Sequence, residues 1–177
     1  PFFLNPHTKP EGENLMEHLK SKYGEAAVER FGKPGNPLDV AGEKVGITFD
    51  KDRRVIQTLD CHRVMEFMRE QEGMAGKTEE FMENMFQAYF ERGEDLSKRD
   101  VLLAVAGQTG LDTDVIGAML ESDAHKEDVR IKDMSHKQTG VSGVPFFYVG
   151  GYKFSGAQPP ETFEEIIDEV YDGLETA

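Results

Sequence analysis

The fold is decided by the stretch Gly140-Val-Ser-Gly-Val-Pro-Phe-Phe-Tyr-Val149, followed by Gly150-Gly151 and Tyr152-Lys153-Phe154. Both outer parts are rich in β-branched and aromatic residues, and a Gly-Gly pair between two such runs is typical of a β-hairpin. Pro145 lacks an N–H and cannot donate to a neighbouring strand, so it belongs at a strand end or edge. We therefore predict a hairpin whose first strand begins at Pro145.

Two interpretations of Pro145 are compatible with the sequence. One is an ordinary trans proline, because only about 5–6% of X–Pro bonds in folded proteins are cis. The other is a cis proline that leaves the backbone N–H and C=O of Val144 free to pair with an extended ligand. The residues alone do not separate the two.

The chain after the hairpin has the pattern of a last helix, which opens at Pro159-Pro160. Its apolar side chains recur at helical spacing on one face, namely Phe163, Ile166, Ile167, Val170 and Leu174. Seven acidic and no basic residues occupy its other positions from Glu161 to Glu175. The pattern predicts an amphipathic helix with an acidic outer face.

The long middle of the chain is mostly helical in its apolar spacing. The first predicted helix runs from Glu11 to about Phe31, and a short one follows near Leu38–Lys44. Three more begin at Thr58, Thr78 and Thr113. A further helix is opened by the capping box Ser97-x-x-Asp100 and stopped by Gly107, and a polar one runs from Ala124 towards Gly140. Pro1–Leu4 is predicted as the tail of a buried strand and Val45–Phe49 as extended. An all-α bundle would not end in a hairpin and a helix, so we predict a split α/β domain with a helical insertion.

Composition excludes several classes of partner. The chain has 177 residues and a formal net charge of −14, with 34 acidic against 20 basic residues. That charge repels phosphate backbones and anionic lipids, so we expect no nucleic acid and no membrane as partner. There is no signal-peptide pattern, and the single cysteine fits a reducing compartment, so the expected location is the cytoplasm.

Motifs for metal or phosphate chemistry are absent from the sequence. The five histidines show no HxxxH spacing, and we expect no metal. There is no glycine-rich phosphate loop and no GxSxG nucleophile motif. Cys61 precedes His62, but neighbouring residues of a helix point about 100° apart, so a Cys–His catalytic pair is not favoured. We predict that Cys61 is buried, and one cysteine cannot form a disulfide within the chain.

Several segments together resemble the DsbA-like proteins of the FrnE type. These are Gly140–Val149 with the Gly150-Gly151 turn, Ser155-Gly156-Ala157-Gln158-Pro159-Pro160-Glu161, Pro1-Phe2-Phe3-Leu4-Asn5-Pro6, and Thr58-Leu59-Asp60-x-His62-Arg63. They occur in the family's order over nearly the whole chain. The resemblance implies an α/β, thioredoxin-like fold, incomplete at the N-terminus, with a large inserted all-helical domain. The implied boundaries are 1–10 and 136–177 for the thioredoxin-like part and 11–135 for the insertion.

The resemblance also implies a substrate-binding site. Val144–Pro145, preceded by Gly143, would be the cis-proline peptide that faces the active site, and Asn5 would lie at the exit of the second thioredoxin strand. Related kappa-class glutathione transferases and 2-hydroxychromene-2-carboxylate isomerases bind glutathione there, with its γ-glutamyl carboxylate near the position of Ser155-Gly156. Glutathione is therefore a possible ligand. The segment precedes a helix N-terminus, where free N–H groups suit a carboxylate.

The sequence also departs from the family pattern. The family's first strand, its Cys-Pro-x-Cys-type motif and its first helix would all precede Pro1, so no catalytic residue can be named. Gln57 stands where the family usually has Asn. Without that strand and helix a sheet edge would be uncovered. The sequence could be part of a longer protein, a shortened variant that dimerises over the gap, or a chain whose strand is supplied by another.

Three functions are compatible with this sequence. The first is a DsbA/FrnE-like thiol–disulfide oxidoreductase whose redox motif lies outside the chain and which acts on a protein disulfide or a small thiol. The second is a glutathione-dependent transferase or isomerase of the kappa-like branch. The third is a non-catalytic interaction module, including a homodimer that covers the exposed sheet edge.

Overall fold

A computed structural model describes residues 1–71 and 73–175. The chain divides into two compact units. The helical unit is Asn5–Val129, and the hairpin unit combines Pro1–Leu4 with Arg130–Ala177. The inserted domain at 11–135 remains a prediction, because this division reflects compactness alone.

The helical unit begins with short helices and a minimal sheet. Its elements are β1 (Glu13–Asn14), α1 (Leu15–Tyr23), α2 (Glu25–Gly32), α3 (Pro37–Glu43), β2 (Arg54–Val55), α4 (Leu59–Glu70), α5 (Thr78–Phe86), α6 (Arg99–Gln108) and α7 (Thr113–Glu121). Strands β1 and β2 pair antiparallel. A short 3₁₀ turn, Ala75–Lys77, precedes α5, and one π-helical turn, Gln87–Glu91, follows it. The last helix of this region, α8 (Lys126–Gln138), extends into the hairpin unit.

The core of the helical unit lies among α4 to α7. Its buried side chains include those predicted for the apolar face of α4, together with residues from the later helices: Cys61, Val64, Met65, Met68, Phe81, Met85, Ala88, Leu102, Val105, Ala106, Ile116, Met119 and Leu120. At about 25 cal/mol per Å² of apolar surface, burial of this set is the main stabilising contribution in the unit.

The predicted helix from Glu11 to Phe31 is wrong as a single element. Asn14 caps α1 by accepting hydrogen bonds from the N–H groups of Met16 and Glu17, so the helix starts later than predicted. Gly24, with φ of 82°, then separates α1 from α2. Glycine reaches this left-handed region without a Cβ clash, and a break at this point is therefore inexpensive.

The segment Val45–Phe49 was predicted as extended, and this is wrong for Val45 and Gly46, while Ile47–Phe49 form no strand. Val45 lies in a turn, and the N–H groups of Val45 and Ile47 both donate to the Gly42 carbonyl at 2.9 Å. These bonds satisfy a carbonyl at the end of α3, which a strand would have left unpaired. The strand of this region is β2 instead.

Two predicted helix signals also differ in detail. The Ser97 hydroxyl donates to Asp95 Oδ1 at 2.5 Å, and no side chain caps α6. Helix α6 continues through Gly107 to Gln108, and the chain turns at Gly110, with φ of 76°. The local Asp95 acceptor competes with the helix end for the serine hydroxyl.

The hairpin unit contains the predicted hairpin and last helix. Strands β3 (Phe146–Val149) and β4 (Tyr152–Ser155) pair antiparallel, with Val149 opposite Tyr152, and α9 (Pro160–Glu175) follows. Gly150 and Gly151 form the two-residue turn with φ of 52° and 93°. Positive φ at both positions is the reason that glycines are needed there.

Aromatic rings join the hairpin to α9. Phe147 and Phe154 stack with centroids 5.3 Å apart, and Phe163 of α9 meets Phe147 edge-on at 4.8 Å. Such pairs contribute about 0.5–1.5 kcal/mol beyond the area that they bury. They fix the hairpin on the helix face that carries Phe163.

The opening strand predicted at Pro1–Leu4 is wrong. No strand forms there, and the Phe3 N–H donates instead to Asp133 Oδ1 of α8 at 2.7 Å. A strand needs a neighbouring strand for its hydrogen bonds, and the Asp133 carboxylate takes that place for Phe3. Of the helices in the described residues, none combines the length and apolar character needed to cross a membrane.

Candidate functional site

The proline peptide at the entry of β3 is the centre of the candidate site. The Val144–Pro145 bond is cis. The Pro145 carbonyl accepts a hydrogen bond from the Gly156 N–H at 3.0 Å, which ties the start of β3 to the end of β4. The Val144 side chain is 53% exposed, and its backbone N–H and C=O form no hydrogen bond within the described part of the chain. An exposed, unpaired donor and acceptor can pair with an extended peptide.

Gly143, which precedes Val144, adds no side chain to this surface. A Cβ placed on Gly143 would meet nothing within 4 Å, so the space beside Val144 is open. Gly143 and Pro145 therefore flank an accessible backbone segment. The structure brings the predicted residues Gly143, Val144, Pro145, Ser155 and Gly156 into one region of the hairpin unit.

The segment around Ser155 and Gly156 offers few free donors. The Gly156 N–H is already used by Pro145, and the Ser155 carbonyl accepts from Gln158 Nε2 at 2.9 Å. Pro159 and Pro160 have no N–H to give at the start of α9. This geometry weighs against the carboxylate-binding role that the resemblance implied for Ser155-Gly156.

Asn5, the remaining predicted binding residue, belongs to the helical unit and makes local contacts. Its carbonyl accepts from the N–H and the hydroxyl of Thr8, and its Oδ1 accepts from Lys22 Nζ at 3.1 Å. Gln57 Nε2 donates to the Thr8 carbonyl at 2.6 Å. Gln57 directly precedes Thr58, the N-cap residue of α4. Its side-chain amide thus holds the loop after Asn5 close to the start of α4.

Aromatic and acidic side chains surround the hairpin. Tyr148 is 51% exposed, its hydroxyl lies 3.1 Å from Thr139 Oγ1, and Lys153 Nζ lies 5.5 Å from its ring centroid. On β4, a hydrogen bond to the Glu169 carboxylate raises the pKa of Tyr152 above its ordinary value, and the negative charge adds to the effect. The strand that follows Val144 therefore carries an exposed aromatic ring, and the side of β4 towards α9 meets an acidic group.

Cys61 is a packing residue, as predicted. It is a free cysteine buried in the core on α4. Burial, aided by the neighbouring Asp60 charge, raises the pKa of the Cys61 thiol to about 12. Because the thiolate is the reactive form, Cys61 is neither a nucleophile nor a redox partner at neutral pH.

A group outside the hairpin could hold a cation. Potential ligand atoms of Glu70, His125 and Asp128 lie within 4.8 Å of one another. The group contains one histidine, so the sequence shows no HxxxH spacing at this place. The pattern His125-x-x-Asp128, which places both residues on one face at a helix start, is the signal that could have indicated it.

Three comparisons bear on this site. The family model of the DSBA-like thioredoxin domain matches residues 1–168. The crystal structure of a probable DsbA oxidoreductase from Streptomyces coelicolor is similar, with a TM-score of 0.84, 25% identity, and coverage of 97% of this chain and 73% of that one. The uncharacterized protein YwbO of Bacillus subtilis is 27% identical over 95 residues, which are 52% of this chain and 47% of that protein. The match thus spans about half the length of this curated relative.

Proposed function

The chain belongs to the family of DSBA-like thioredoxin domains, and we propose that it is the substrate-holding part of a thiol–disulfide oxidoreductase of the FrnE type. Its α/β, thioredoxin-like fold with a helical insertion agrees with the similar Streptomyces coelicolor structure. The substrates that we propose are a protein disulfide or a small thiol compound in the cytoplasm.

The observation that carries this proposal is the unpaired Val144 backbone. Val144 is 53% exposed at the entry of β3, its N–H and C=O form no hydrogen bond within the described residues, and Gly143 leaves the approach open. A substrate segment could add to β3 in the manner of a short strand, with Val144 donating one hydrogen bond and accepting another. Tyr148 and its aromatic neighbour Phe146 would contact apolar substrate side chains beside it.

The chemistry would need a redox motif outside residues 1–177. A thiolate of that motif would attack one sulfur of a substrate disulfide, form a mixed disulfide, and release the other sulfur as a thiolate. A second thiol would then displace the substrate, which leaves reduced, while the motif becomes a disulfide. Val144 would hold the substrate chain during both exchanges.

A glutathione-dependent function is less well supported. The expected carboxylate subsite near Ser155-Gly156 has its Gly156 N–H engaged and two prolines after it. Glu161, in the first turn of α9, would also repel a carboxylate. We therefore propose glutathione as a ligand of the Val144 backbone alone, where the peptide groups of glutathione would pair with the Val144 N–H and C=O.

The experiment compares two variants of the protein expressed from its complete coding region. Val144→Pro removes the N–H donor, and Val144→Ala keeps the donor while it removes the exposed side chain. We expect Val144→Pro to lower kcat/KM for reduction of a disulfide-bonded peptide about 3–10-fold, because one hydrogen bond contributes about 0.5–1.5 kcal/mol. Val144→Ala should change it less than that.

The two variants also need a check on folding, for which the near-UV circular dichroism of the tyrosines serves. Equal rates for a folded Val144→Pro variant and the unchanged protein would contradict the role of the Val144 N–H. Absence of any disulfide reduction by the unchanged protein, supplied with a thiol reductant, would contradict the proposed activity itself.

A further inference from the structure

Glu70, His125 and Asp128 form a cluster where α4 ends and α8 begins. Glu70 is the last residue of α4, His125 precedes α8, and Asp128 lies in its first turn. The His125 Nδ1 atom lies 3.6 Å from Glu70 Oε1 and 3.6 Å from Asp128 Oδ2. All three residues belong to the helical unit, whereas Val144 belongs to the hairpin unit.

The His125 Nδ1 atom is buried and lacks a hydrogen-bond partner in the described part of the chain. Its side chain is 11% exposed. The two carboxylate oxygens are nearest to it, but 3.6 Å exceeds the usual 2.7–3.2 Å of a hydrogen bond. A buried polar atom without a partner costs free energy of folding. A bound ion between the nitrogen and the two oxygens would supply that partner.

The charges around the cluster favour a cation. Two carboxylates converge there, and they are the main attraction, because the negative end of the α4 dipole is opposed by the positive end of the α8 dipole. The neighbouring basic side chains are engaged elsewhere, because Arg69 pairs with Glu66 and Lys126 pairs with Asp123.

The imidazole is held in place from one side. The Phe67 ring meets the His125 ring edge-on, with centroids 6.1 Å apart. Phe67 and Glu70 are three residues apart on α4 and so share a face. The same face of α4 therefore supplies one candidate ligand and the packing that orients another.

We propose that Glu70, His125 and Asp128 bind a divalent transition-metal ion, with zinc as the probe. Zinc binds imidazole nitrogen and carboxylate oxygen at about 2.0–2.2 Å, and two ligands at tetrahedral angles are then roughly 3.4 Å apart. The two spacings of 3.6 Å from Nδ1 approach that value. Both carboxylates are more than half exposed, so small movements can complete the geometry and water can occupy the remaining position.

The ion would fasten the end of α4 to the start of α8. Glu70 and His125 are 55 residues apart in the chain. A metal ion that binds both therefore closes a long loop. The site would be structural and independent of thiol chemistry.

The experiment is calorimetric titration of the tag-free protein with zinc chloride. We expect one zinc per chain in the unchanged protein. His125→Gln should weaken binding by about 100-fold or more, since losing a group that merely orients a metal ligand already costs about 10–100-fold. Glu70→Gln and Asp128→Asn, both exposed, should each weaken it and should keep the fold.

The matched control is His18→Gln. His18 Nδ1 lies 2.6 Å from Glu13 Oε1, a paired histidine beside one carboxylate, and its loss should leave the zinc affinity unchanged. No saturable binding at millimolar zinc would overturn the proposal. So would equal zinc affinity in Glu70→Gln, Asp128→Asn and the unchanged protein, even if His125→Gln failed to fold.

Discussion

The surroundings of Arg63 in the helical unit and of Val144 in the hairpin unit differ in whether backbone N–H and C=O groups have hydrogen-bond partners within the chain. Arg63 is 1% exposed and donates to the carbonyls of Met119, Leu120, Ser122 and Ala124 and to the Asp60 carboxylate. Val144 is 53% exposed, and its own backbone groups have no partner within the described residues. One region satisfies its carbonyls internally, and the other leaves a donor and an acceptor accessible.

The difference separates stability from function in this chain. The Met119 and Leu120 carbonyls lie in a buried part of the unit, where a donor within the chain takes the place of water. Val144 is half exposed and its backbone groups have no partner within the described residues, so a substrate can pair with them without breaking a hydrogen bond within the chain. Substitutions in the helical unit should therefore change mainly folding, and those beside Val144 should change mainly binding.

Arg63→Met should produce the largest effect. The variant keeps the apolar part of the side chain but removes its hydrogen bonds to the carbonyls, of which that of Met119 still accepts from the N–H and hydroxyl of Ser122. We expect the free energy of unfolding to fall by about 3–5 kcal/mol, because Arg63 serves several carbonyls and each buried acceptor left without a donor costs about 1–3 kcal/mol. Urea unfolding followed by far-UV circular dichroism measures it.

Arg99→Met is the matched control for that measurement. Arg99 also bridges two elements of the helical unit, through Glu121 at 2.9 Å, but the pair is exposed. Exposed pairs contribute about 0–1 kcal/mol. If Arg63→Met destabilised the protein no more than Arg99→Met, the carbonyl network would not be a main support of the unit.

The Cys61 thiol should make stability depend on pH in the alkaline range. Its folded-state pKa of about 12 lies above the ordinary 9.0, so the unfolded state loses the proton first. Stability from this group is fully present below pH 9.0 and is lost as the pH rises towards 12. We expect a decrease of up to about 1.4 kcal/mol per pH unit in that range, measured by urea unfolding.

Cys61→Ala isolates this contribution. Other groups, such as Tyr89, whose pKa burial also raises, titrate equally in both proteins and cancel in the difference. The variant should lose less stability than the unchanged protein between neutral and alkaline pH. Parallel curves for the two proteins would show that the thiol is not desolvated as the fold indicates.

Much of the fold could be predicted from local patterns. The apolar face of α4, the Gly150-Gly151 turn and the start of α9 at Pro160 follow from spacing and turn chemistry, which act over a few residues. The burial of Cys61 follows from the same helical spacing. These features need no knowledge of distant contacts.

The remaining features depend on partners far along the chain. Phe3 was predicted in a strand because its neighbours are apolar, but its N–H bonds to Asp133, 130 residues away. The role of Arg63 depends on carbonyls 56 to 61 residues away. In the candidate site, the pairing of Gly156 with Pro145 removes a donor that the sequence left available. No local pattern specifies such pairs.

Gly150→Ala should produce the smallest effect, and it tests how tightly the hairpin unit is packed. A Cβ at Gly150 would lie 2.2 Å from Val170 Cγ2 of α9, whereas one at Gly151 would meet nothing within 4 Å. Both glycines have positive φ, so Gly151→Ala carries the backbone penalty without the clash. We expect Gly150→Ala to lower local stability by about 1–3 kcal/mol more than Gly151→Ala, from hydrogen exchange of the β3 and β4 amides.

Val170→Ala added to Gly150→Ala should restore most of that difference, because it removes both Val170 methyl groups that the new Cβ would meet. Equal protection in the two glycine variants would show that α9 moves away without cost. The hairpin would then be held by its aromatic contacts alone, such as that of Phe147 with Phe163. The hairpin unit would then be less tightly packed, relative to the helical unit, than the short distance from Gly150 to Val170 indicates.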